Sequence, residues 1–81
     1  MNALNIISHT QFTSEQAVAL LHREVAQRSV AKRDQLKNEN IGLVVGVLSI
    51  NDEMEVVVKQ LSDVGQYTAS EFHKKFEVVP D

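Results

Sequence analysis

The side chains in this chain best suited to ligating a metal or moving a proton are His9, His22 and His73. A helical metal site needs two ligands three or four residues apart, as in H-x-x-x-H or H-E-x-x-H, because only that spacing puts them on one face. No two of these histidines are so spaced, and no cysteine is present to supply a thiolate. No metal or cofactor site is therefore expected. Glu71 and His73 are two residues apart and would fall on different faces of a helix, so they make no acid–base pair. Ser14, Ser29, Ser49, Ser62 and Ser70 lack the glycine-flanked turn that exposes a nucleophile. Gly42-x-x-x-Gly46 has glycine spacing but not the following Lys and Ser/Thr of a phosphate loop. The carboxylates of Asp52, Glu53 and Glu55 cluster where a helix dipole would attract them without any catalytic role. These residue types and spacings argue against an enzyme.

Basic residues offer a second kind of chemistry. Arg28, Lys32, Arg33 and Lys37 recur at steps of four and five, which would place them along one broad side of a helix. Such a side could hold an anionic small molecule such as a nucleotide, or a protein partner; the plainer role is a solvated face or a set of inter-chain ion pairs. Net charge is −3, unevenly placed: residues 23–37 carry five cations against two anions, and residues 38–63 carry five anions against one cation. The two regions could attract each other, within or between chains. A nucleic-acid binder would carry a basic surplus, so that class is disfavoured.

The elements that must position these groups are read from hydrophobic periodicity. Leu43, Val47, Ile50, Met54, Val57, Leu61 and Val64 follow one another at steps of four and three, the spacing of one helical stripe. Ile41, Val44, Val45, Leu48, Val56 and Val58 widen it. The reading is a helix, or a pair of helices, near 40–64. As one helix it would be roughly 37 Å long at 1.5 Å per residue, against a diameter of roughly 30 Å for a compact domain of this size. It would overhang its domain, so a homo-oligomer interface is expected at Gly42, Leu43, Gly46, Val47, Ile50, Met54, Val57 and Leu61. Gly42 and Gly46 would let two helices cross closely. The rival reading is a β-hairpin over 41–61, since this stretch is rich in β-branched residues and Asn51-Asp52-Glu53 could be its loop. Asn51 as a helix cap, acid after it, and Gly65 as a stop weigh for helix.

Thr13-Ser14-Glu15-Gln16 and Thr68-Ala69-Ser70-Glu71 are capping boxes. They predict helices over about 14–37 and 68–75. Leu4–Ile7 and Glu77–Val79 look extended and could pair as a ribbon. The expected core is Val18, Leu21, Val25, Leu43, Val47, Ile50, Met54, Val57, Leu61 and Phe72. The sequence thus predicts a mainly α fold, a small hairpin or bundle of three to four helices with extended ends, with α+β as the alternative. Eighty-one residues make a single domain, 1–81. The longest apolar block, 41–50, is half a membrane span, and no secretory leader is apparent, so a cytoplasmic protein is expected. The function these features imply is a small interaction protein, a regulator, inhibitor or assembly adaptor that binds itself and another protein. An anion-sequestering module is the alternative, and a weak nucleic-acid binder the further one.

Overall fold

The computed structural model describes residues 11–80. It is mainly β, 44% strand and 24% helix, so the helical bundle expected from the sequence is not what forms. Helix α1 (Ser14–Leu20) leads to strand β1 (Glu24–Gln27), a 3-10 turn (Lys32–Asp34), and strands β2 (Ile41–Ile50), β3 (Glu53–Gln60) and β4 (Asp63–Tyr67). Helix α2 (Ala69–Lys75) and strand β5 (Phe76–Val78) close the chain. The strands make one antiparallel sheet in the order β4-β3-β2-β1-β5.

The stretch read as a helix over 40–64 is the β2–β3 hairpin running on into β4. Valines at 44, 45, 47, 56, 57 and 58 suit a pleated surface, where a branched Cβ packs on its cross-strand neighbours. Asn51 and Asp52, with φ of 51° and 66°, form the two-residue turn. Two consecutive left-handed residues give the turn whose twist matches that of the flanking strands. Asn51 is therefore a hairpin residue, not a helix cap.

The helix expected over 14–37 stops at Leu20. Leu21 turns to φ −59°, ψ 130°, His22 takes φ 69°, and the chain then enters β1. His22 is exposed in this turn. Both capping boxes do form: Thr13 Oγ1 accepts from Gln16 N and Thr68 Oγ1 from Glu71 N, each reciprocated by the side chain three residues on. Of the expected ribbon, residues 4–7 lie outside those described; β5 pairs with β1.

Both helices pack on one face of the sheet, α1 against β2 and β3, α2 against β3, β4 and β5. Between the layers lie Val25, Val44, Val56 and Val58 from the sheet, with Phe12, Ala17, Ala69, Phe72 and Phe76. Phe12 meets Phe72 edge-on at 5.8 Å, and Tyr67 meets Phe76 at 5.3 Å. From the expected core, Val25 and Phe72 are buried, and Val47 and Met54 pack against the cluster. Val18, Leu43, Ile50 and Leu61 are exposed.

Candidate protein-binding face

The helices cover only the inner face of the sheet. On the outer face, side chains alternate with the buried ones, so strand register tells which residues share it. Val56 and Val58 of β3 point inward, so Glu53, Glu55, Val57 and Lys59 point outward. Across β2, Leu43 stands opposite Lys59, Gly46 opposite Val57, Leu48 opposite Glu55 and Ile50 opposite Glu53. Across β4, Val64 stands opposite Lys59 and Gln66 opposite Val57.

Val45 is an extra residue in β2. The register shifts between Val44, paired with Val58, and Gly46, paired with Val57. A bulge of this kind sets two residues against one and restarts the alternation. Val45 is thereby added to the outer face without displacing Val47 from the inner one.

The result is an apolar patch over β2, β3 and β4. Leu43 is 39% exposed, Val45 42%, Ile50 38% and Val64 59%. At the other side of the sheet the outer face is covered. Ala26 of β1 is 2% exposed beneath the segment around Lys32–Leu36, which is pinned there by Gln35. Its Nε2 donates to Gln27 O at 3.3 Å and to Glu77 Oε1 at 2.8 Å. Among the described residues, this cover stops short of Leu43 and Val45, which are exposed.

Charges lie within this face along β3, on either side of Val57. Lys59 lies at one end, Glu55 and Glu53 at the other. Gln66 Nε2 donates to Glu55 Oε1 at 2.9 Å and Gln11 Nε2 to Glu53 Oε1 at 3.1 Å, which holds both carboxylates in place. Glu24 of β1 lies beside Leu43 at the Lys59 end.

The eight residues expected at an oligomer interface divide between the layers. Leu43, Gly46, Ile50 and Val57 share the outer face. Gly42, Val47 and Met54 belong to the inner face, and Leu61 sits in the β3–β4 turn. Gly42 and Gly46 allow no helix crossing; Gly42 instead leaves room for Val58.

The four basic residues are not on one helix side. Arg28 donates from Nε to His73 O at 2.7 Å, at the carbonyl end of α2, and lies 3.8 Å from Glu77. Lys37 pairs with Asp34 at 3.0 Å and Arg33 with the same carboxylate at 3.7 Å. Lys32 lines the recess beside Ala26. Two carboxylates, Glu77 and Asp34, thus stand against these four cations.

A groove of about 300 Å³ runs between α1 and α2, lined by Phe12, Leu20, Arg23 and His73 among others. Arg23 Nη2 donates there to Val79 O, and His73 stacks edge-on to Phe12. Among the described residues no group of three metal-ligating side chains gathers, and no helix is long and apolar enough to cross a membrane.

No family model, curated protein or solved structure matches this chain.

The open face is what the structure adds to the sequence reading. Lys59, Glu53 and Glu55 were not among the expected site residues. Their signal is the alternation of Glu53 and Glu55 with Met54 and Val56, the start of a strand pattern that breaks at Val57.

Proposed function

We propose that this chain is a small non-enzymatic interaction protein that binds a protein partner through the outer face of β2, β3 and β4. The observation that carries this reading is the set of apolar side chains Leu43, Val45, Ile50, Val57 and Val64 gathered on one sheet face, with Lys59, Glu55 and Glu53 set among them along β3. Exposed apolar side chains gathered on one face, with charges to fix the register, suit a protein-binding surface. The intrachain ion pairs of Arg28, Arg33 and Lys37 make the anion-sequestering and nucleic-acid readings weaker. A cysteine-free sequence fits action in the cytoplasm.

The test is site-specific photo-crosslinking. A photoreactive phenylalanine derivative at Val45 should give a discrete adduct, and the same group at Val18, exposed on α1, should not. Leu43→Glu, with circular dichroism unchanged, should abolish the Val45 adduct. Equal labelling from Val45 and Val18, or none from either, would sink the proposal.

A further inference from the structure

We infer that the partner of the open face is a second copy of this chain, packed face to face about a two-fold axis that crosses β3 at Val57. This rests on reading the open face as a binding surface. Two identical sheets can meet with their strands parallel or reversed, depending on the direction of the axis. An axis running across the strands lays β3 over the partner's β3 in the opposite direction. Val57 then meets its own copy, and Lys59, two residues on, meets the partner's Glu55, two residues back, with the partner's Glu53 beyond. The same operation sets Leu43 on the partner's Leu48. Lys59 and Glu55 thus pair twice, once on each side of the axis. An axis along β3 would instead stack Lys59 on Lys59 and Glu55 on Glu55, which is repulsive. An axis along β2 would bring Lys59 to the partner's Glu24. It would also drive the partner's sheet into the segment that covers Ala26 and Glu77. The charges and the covering segment together select the first arrangement.

Sheets packed this way sit about 10 Å apart and are offset by about 30°. With strands about 4.8 Å apart and a rise of about 3.4 Å per residue, the patch measures about 15 by 25 Å, so that about 800 Å² is covered in total. That is below the roughly 1,200 Å² of stable specific interfaces and in the range of transient ones. The dimer is accordingly a weak one, in exchange with monomer.

Sedimentation of the full chain across a dilution series up to about 1 mM reads the association directly. The wild-type protein should dimerise, and Lys59→Glu should weaken dimerisation about tenfold or more. Glu55→Lys should do the same, and the two together should restore affinity to within about threefold of wild type. Raising NaCl should weaken the wild-type dimer, since it screens the Lys59–Glu55 pairs. Failure of the Lys59–Glu55 swap to restore, or rescue of Lys59→Glu by Glu24→Lys instead, would overturn the proposed axis. A chain that stays monomeric throughout overturns the second copy as partner. In that case a Val45 crosslink to a different protein, or to residues 1–10 of the same chain, identifies the occupant, and the former leaves the binding-face reading standing. No Val45 adduct at all removes both.

Discussion

Val58 occupies the space in front of Gly42: a Cβ on Gly42 would lie 2.7 Å from Val58 Cγ1, and 3.2 Å from Val25 Cγ2. Both valines are fully buried, so neither can swing away cheaply. Gly46, four residues on, is different. A Cβ there would meet Val57 at 3.8 Å, an ordinary contact on the open face. Gly42→Ala should therefore lose about 1–3 kcal/mol through overpacking. Gly46→Ala should be neutral or gain up to about 1 kcal/mol, because glycine weakens a strand interior. Urea denaturation of both variants separates the two; equal losses would show that backbone freedom rather than packing decides these positions.

Left-handed backbone gives the second prediction. His22 at φ 69° and Asp52 at φ 66° each hold a conformation that side chains with a Cβ resist, by roughly 1–2 kcal/mol. Asp52→Gly turns the hairpin turn into Asn-Gly, the pair best suited to it, and should raise stability by about 0.5–1 kcal/mol. His22→Val should lower it by about 1–2 kcal/mol, since a β-branched residue tolerates that region least. Thermal melts read both signs; a stabilising His22→Val would contradict the turn described between α1 and β1.

Arg28 links the start of the covering segment to the end of α2. Its guanidinium donates to the His73 carbonyl in the last turn of α2, and its backbone N–H to Lys75 O at 2.9 Å. A cation there also opposes the negative end of the helix dipole. Arg28→Ala should cost about 1 kcal/mol, little enough because the side chain is half exposed. It should also raise hydrogen exchange in the last turn of α2 while leaving β2 and β3 unchanged. Arg28→Lys should recover only part of the protection, having the charge without the planar fork. Uniform exchange across the whole chain would mean the contact is not local to α2.

Which features could be read in advance follows from how local their causes are. Thr13-Gln16 and Thr68-Glu71 act within one turn, and both boxes form where the sequence placed them; α2 runs to Lys75 as expected. β1 gave no such notice. Glu-Val-Ala-Gln is made largely of good helix formers, and only pairing with β2 and β5 makes it a strand. The 43–64 stripe misled for a definite reason. Leu43, Ile50, Val57 and Val64 face outward, while Val47 and Met54 face inward. Steps of four and three thus crossed between faces, because the bulge at Val45 adds one residue and the sheet is apolar on both sides. A sheet with one polar face would have shown its period of two.

That role of Val45 is itself open to test by deletion. Without Val45, Val44 and Gly46 become neighbours and the ladder runs unbroken: Val44 to Val58, Gly46 to Val57, Val47 to Val56. Inward and outward residues keep their faces, and the Asn51-Asp52 turn keeps its place. Deleting Val45 should therefore leave a cooperatively folded sheet, with stability changed by about 1 kcal/mol or less, and reduced strand twist. It should also weaken association at the open face, from which one exposed side chain is lost. Deleting Leu48 is the control. It shifts Ser49 and Ile50 to the opposite faces and pulls the hairpin turn out of register, and a one-residue slip of this kind inverts every side chain beyond it. The Leu48 deletion should be strongly destabilised or unfolded. If the two deletions are equally damaging, Val45 is part of the ladder and not an inserted residue. The assignment of Val45 to the open face then fails with it.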